Sequence, residues 1–316
     1  MEFVIKDEIS SILEAYHSDI SNVLPVLEKK LKSEGRIGFL DKTVDCEFYK
    51  YLSELNPEKR MIQGYIFRDI LESKYEKAII KGLNTAKSAM PNMNYKSPEI
   101  VFLADIGTSA RIIGDNSFGI NFTHLYHQIM KMPKPKEITM QELKKKGIEQ
   151  ALKSLESMVS HEASHLYLDQ IGYTKSENHF KETLFGEGLA TFIESEHYDA
   201  YYEVLKEKKL WQEIILGLIK DELTNFEIVD KIKKSDYIMS KESAKNLFIN
   251  LESALNDPSS NFSKNLNNVL YNGNGPIYHV GYVMWKDISE KLGNEKVKEL
   301  IKSGPDKFVE TFEKIQ

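Results

Sequence analysis

Two histidines, His161 and His165, stand four residues apart with Glu162 beside the first, in the segment Ser160-His161-Glu162-Ala163-Ser164-His165. On a helix, residues four apart share a face and are separated by about 6 Å along the axis. Two imidazoles so placed can converge on one ion, at roughly 2.0–2.1 Å if the ion is zinc. Glu162 projects about 100° around the axis from His161, so it flanks the ion instead of joining the pair. A carboxylate in that position can take a proton from water at the ion and later pass it to a leaving amine. The order is ligand, general base, ligand.

This chemistry requires a helix, and the flanking residues predict one. Thr139-Met140-Gln141-Glu142 has the form of a capping-box start. Apolar residues then recur at Ile148, Leu152, Leu155, Val159, Ala163 and Leu166, at three- and four-residue intervals. No proline interrupts the chain between Pro135 and Pro258.

A hydrolytic metal site also needs a third protein ligand and one open position for water. The candidates after His165 are Asp169, His179, Glu182, Glu187 and Glu194. Asp169 is one turn further along the same helix, a poor place from which to enclose an ion. His179 lies in the polar stretch Lys175-Ser176-Glu177-Asn178, which reads as a solvated loop. Glu187 is surrounded by Gly186, Gly188 and Ala190, small residues that would let a second helix approach the first closely. A carboxylate needs that closeness because its reach is short.

His161-Glu162-x-x-His165 followed 22 positions later by Glu187, in a Glu-Gly-Leu-Ala setting, resembles a gluzincin metallopeptidase. The second segment is similar to that of zinc aminopeptidases, which carry a further Glu seven positions after the ligand, here Glu194. The resemblance implies one Zn2+ per chain, with Glu187 as third ligand and Glu194 as a carboxylate behind the ligands. Thr191, one turn from Glu187, is a further candidate for that supporting shell. Two family elements are missing. The aminopeptidase Gly-x-Met-Glu-Asn segment does not occur, and Leu168 and Ile171 stand where a metzincin would require Gly and a third His. The chain is thus most similar to the predicted zinc-dependent proteases of bacteria, over about residues 155–197, with a weaker echo near 275–293.

Beyond those helices, Gly275-Pro276-Ile277-Tyr278-His279-Val280-Gly281-Tyr282 starts a helical run that Gly293 ends. Gluzincins use a Tyr or His from this side of the chain to bind the tetrahedral oxyanion, which makes Tyr278 the first candidate and His279 the second. The alternative is that both pack at a helix start. Gly281 would let this helix sit tightly on a neighbour. Zincins also pair an edge strand with the substrate backbone. Ser117 to Phe122 is the natural candidate, with Phe118, Gly119, Ile120 and Asn121 at its centre. His124 and His127 have no carboxylate at useful spacing and read as structural.

The elements that must carry these residues predict an α+β, mostly α chain: a zincin-like catalytic region with a small sheet and an active-site helix, plus helical N- and C-terminal parts. Residues 7–33 and 57–89 show helical spacing, broken at Pro25, and residues 1–95 read as a helical N-terminal region. Residues 96–316 read as the catalytic region with its helical extension. Glu99 to Ala104 is a compact apolar run between Pro98 and Asp105-Ile106-Gly107, and Ser117 to Phe122 follows the turn-rich Gly114-Asp115-Asn116, so these two segments predict the sheet.

Composition narrows the partners. The chain has 316 residues and a formal net charge of -6, which argues against nucleic acid or an anionic membrane. Lys144-Lys145-Lys146 lies in a mixed-charge stretch and reads as a solvated helix face. Cys46 is the sole cysteine, so neither an internal disulfide nor a thiolate-rich zinc cluster can form. The first residues lack the basic start and apolar run of a signal peptide, and no apolar stretch approaches the roughly 20 residues that span a bilayer. The expectation is a cytoplasmic zinc peptidase acting on peptide or protein, although an export signal trimmed from the N-terminus would alter the location. A zinc hydrolase of a non-protein amide, or a non-catalytic binding or regulatory protein on a metallopeptidase scaffold, would use the same residues. Oligomeric state has no signature in the sequence.

Overall fold

The computed structural model describes residues 4–7, 75–103, 110–121, 140–194, 209–234, 241–257, 261–271 and 275–316. Expected helices over 8–33 and 57–74 lie outside these residues, as do Cys46, His124 and His127. Among the described residues there are four strands and ten helices, so the chain is mostly α with a small sheet. None of these helices is long and apolar enough to cross a membrane.

The sheet consists of β1 (Val4–Asp7), β2 (Glu99–Leu103), β3 (Ala110–Gly114) and β4 (Ser117–Asn121), in the order β1-β2-β4-β3. β1 and β4 run parallel to β2, and β3 runs antiparallel to β4. The two strands predicted from apolar runs are the central pair. Ile100, Val101, Phe118 and Ile120 are buried on them. β1 and β3 were not expected, for two reasons. β1 is four residues paired with a partner some 95 positions away, and such pairing leaves no local pattern. β3 carries the half-exposed Ile112 and Ile113 side by side and has a register irregularity before Gly114, so it lacks strict alternation. A two-residue turn, Asp115-Asn116, joins β3 to β4. Asn116 secures it: its side-chain amide donates to the Ser97 carbonyl at 2.7 Å, and its own carbonyl accepts from Glu99 N at 2.9 Å.

One expectation is corrected here. β4, with Phe118, Gly119, Ile120 and Asn121, is hydrogen-bonded on both sides, to β2 and to β3. It therefore has no open edge on which to pair a peptide. The hairpin puts β3 outside it.

The chain divides into two compact units, residues 1–86 with 94–166, and residues 87–93 with 167–316. The first contains the sheet, most of α1 (Tyr75–Ala89) and most of α2 (Met140–Ile171), which begins where the capping-box pattern predicts. Ile79, Leu83 and Ala86 form the buried stripe of α1. Gly82 brings α1 against α2: an added Cβ would lie 2.6 Å from the Glu156 carbonyl and 2.9 Å from Val159. Beside it, Lys81 pairs with Glu156 at 2.6 Å.

The described residues of the second unit are helical: α3 (His179–Ile193), α4 (Lys209–Ile219), α5 (Asn225–Lys233), α6 (Lys241–Asn256), α7 (Phe262–Tyr271), α8 (Pro276–Leu292), α9 (Asn294–Ser303) and α10 (Pro305–Ile315). Its centre is the crossing of α3 and α8. A Cβ on Gly188 would fall 2.5 Å from Gly281 Cα, and one on Gly281 would fall 2.5 Å from the Leu184 carbonyl. The expected close approach of Gly281 is thus present. Gly188, however, serves contact with α8, and Gly186 has only an ordinary 4.0 Å neighbour, Leu168. Beneath the crossing, Trp285 stacks on Phe308 with centroids 4.3 Å apart, and both rings meet Phe185. The Trp285 indole N–H donates to the Phe185 carbonyl at 3.1 Å, so this buried ring brings no unpaired donor.

Candidate metal centre

His161 and His165 sit on α2 as their spacing predicts, and each is half-buried. Their Nε2 atoms are 3.3 Å apart, and the ring planes stand at 68°. Two nitrogens bound tetrahedrally to one ion at roughly 2.0–2.1 Å would be about 3.3–3.4 Å apart. The imidazoles are therefore already spaced as ligands. The helix around them is apolar, with Leu155, Val159 and Ala163 fully buried. Its buried serines spend their hydroxyls on the preceding turn: Ser160 Oγ donates to Ser157 O at 2.8 Å, and Ser164 Oγ to Ser160 O at 2.6 Å. Val159, which meets α1, precedes His161 by two residues, or roughly 200° around the axis. So α1 braces the face opposite the imidazoles. Glu162 is buried at 7% exposure on the same turn.

α2 ends at Gly172, whose φ of 65° is the left-handed conformation that suits glycine at a helix terminus. The short loop that follows is held by Glu182. This carboxylate accepts from Tyr173 Oη at 2.9 Å and from Ser176 N. Burial and Glu182 together push the Tyr173 phenol well above its usual range. Asn178 then caps α3, accepting from Lys181 N at 3.2 Å and donating to the Ile219 carbonyl at 3.2 Å. From α10, Asp306 accepts from Lys181 Nζ at 2.7 Å and from Ser176 Oγ at 3.2 Å.

Glu187 lies on the third turn of α3, and its carboxylate closes the group. One donor atom each from His161, His165 and Glu187 all lie within 4.8 Å of one another. These three residues can hold a metal ion, since two imidazoles and one carboxylate leave a tetrahedral ion a vacant position. Among the described residues, the other acidic and imidazole candidates do not join this group. Glu182 is occupied by the loop, His179 faces Tyr271, Asp169 is exposed, and Glu194 is the residue that ends α3. Thr191, one turn beyond Glu187, is buried.

Tyr278 and His279 fall in the first turn of α8 and are half-buried. Gly281 meets Leu184 and Gly188, while Trp285 reaches back to Phe185. The residue that sequence reading missed is Tyr271. Its hydroxyl lies 3.0 Å from Thr183 Oγ1 and 3.2 Å from His179 Nε2, on the helix that carries Glu187. Burial raises its pKa; the bond to Thr183 opposes that rise and the Glu187 charge adds to it. Nothing in the local pattern of Phe262–Tyr271 marks this residue, because its partners are some 90 positions away. Comparison with protein-family models, with curated proteins and with solved structures returns no match to this chain.

Proposed function

We propose that the chain is a zinc-dependent peptidase that hydrolyses peptide bonds, with His161, His165 and Glu187 as metal ligands and Glu162 as general base. The observation that carries this reading is the pair of facing Nε2 atoms at 3.3 Å with a third, carboxylate donor within 4.8 Å of both. Two imidazole lone pairs at that distance repel unless a proton or a cation lies between them. A carboxylate as the third neighbour favours the cation.

A zinc ion held by His161, His165 and Glu187 would supply Lewis acidity, lowering the pKa of the attacking water and polarising the scissile carbonyl. Glu162 takes one proton from that water as oxygen attacks the carbonyl carbon. It returns the proton to the amide nitrogen as the C–N bond breaks, leaving a carboxylic acid and an amine, and the acid's proton then passes to the amine. Tyr278 or His279 donates a hydrogen bond to the developing oxyanion, from the helix packed on that of Glu187. Thr191 and Glu194 support the ligand helix behind Glu187.

The test is Glu162→Gln. It should retain stoichiometric zinc and lose peptide cleavage by about 10²–10⁴-fold, the usual share of a general base. Undiminished cleavage of unfolded casein by a metal-clean preparation of this variant would refute the assignment. Wild-type protein that binds zinc but cleaves neither casein nor a peptide library, while hydrolysing small amides, would move the substrate to the non-protein class.

A further inference from the structure

Tyr271, Thr183 and His179 form a hydrogen-bonded ring whose proton directions can be assigned. Thr183 has a single hydroxyl proton, and it goes to the His179 carbonyl at 3.0 Å. Its oxygen therefore accepts the phenol proton of Tyr271 at 3.0 Å. The phenol, having given up its only proton, must accept from His179, so the imidazole Nε2 carries hydrogen. Each proton has one destination. The ring ties the end of α7 to the first two turns of α3.

His179, Thr183 and Glu187 are successive four-residue steps, so they follow one face of α3, with Thr183 about 6 Å from Glu187 along the axis. Gly275 packs against the end of α7: a Cβ there would overlap the Leu270 carbonyl. Five residues after the start of the next helix, Gly281 meets Leu184 and Gly188. Tyr271 therefore holds α3 at His179 and Thr183, before the turn that presents Glu187, and Gly281 holds it at Leu184 and Gly188, across that turn.

We propose that Tyr271 is a positioning residue for Glu187, holding the third ligand at the depth and rotation at which its carboxylate meets the two imidazoles. This rests on the metal reading above, and Tyr271 itself touches no ion. Tyr271→Phe keeps the ring and removes the hydroxyl. Zinc affinity, read by competition with a chromophoric chelator, should fall about tenfold, as it does when a group supporting a ligand is removed. The visible absorption of the cobalt(II)-substituted protein should shift as well, which a purely structural role would not cause. Thr183→Val should repeat both effects, and Thr183→Ser, which keeps the hydroxyl, should restore wild-type values. Glu187→Ala serves as the reference. Wild-type zinc affinity and cobalt spectrum in Tyr271→Phe and Thr183→Val, with affinity lost in Glu187→Ala, would overturn the positioning role and leave the metal centre standing. Wild-type affinity in Glu187→Ala would overturn both.

Discussion

The two helices that carry the candidate metal donors are built on different principles. α2 holds His161 and His165 at the right separation by its own geometry: the four-residue step is enough, and Gly82 on α1 needs only to support its back. α3 contributes a single donor, and its placement depends on residues from distant parts of the chain. Asp306 of α10 holds the loop before it, Tyr271 its first turns, Gly281 its middle and Trp285 its underside. The lesson is that half of this centre is local and tolerant, while the other half is tertiary and exposed to packing errors far from the donors. Substitutions around α3 should therefore impair the centre without touching a ligand.

The largest effect is expected at Phe185, which is fully buried against Trp285, Phe308 and Tyr173. Phe185→Ala should cost about 3–5 kcal/mol of stability in urea unfolding, through lost burial and the cavity left behind. A loss no greater than that of a surface change would show that α3 does not depend on this packing. Gly188→Ala comes next. The added methyl has no room against Gly281, and separating the helices should cost about 1–3 kcal/mol. Zinc affinity should fall together with the melting temperature, because the same backbone shift displaces Glu187. A smaller change, about 1 kcal/mol by thermal unfolding, is expected for Asn178→Ala, which removes the cap of α3.

The smallest effect is at Asp306. Its pairing with Lys181 holds the carboxyl below its ordinary 3.8, but its side chain is 60% exposed, and solvent screening leaves such a pair about 0.5 kcal/mol. Because the folded pKa is the lower one, this stability is present above pH 3.8. It disappears as pH falls through the folded value. Asp306→Asn should therefore be slightly less stable than wild type at neutral pH, and the two melting temperatures should converge in acid. A gap that widened in acid would mean the pair is not what holds the loop.

Much of this was legible in the residue order, for reasons of local physics. The period of Leu155, Val159, Ala163 and Leu166 fixes one buried stripe, and a helix with that stripe has no choice about the relation of His161 to His165. The apolar runs of β2 and β4 likewise read as central strands. What spacing left open was the choice among Asp169, His179, Glu182, Glu187 and Glu194 as third donor. The fold favours Glu187, which offers a donor atom within 4.8 Å of both imidazoles, whereas Glu182 and His179 bond to Tyr173 and Tyr271. The position of β4 inside the sheet and the arrival of Tyr271 at Thr183 were equally hidden. Periodicity reports which face of an element is buried. It is silent on which distant residue covers that face, since that is settled only when the whole chain minimises its exposed apolar surface and pairs its buried polar groups.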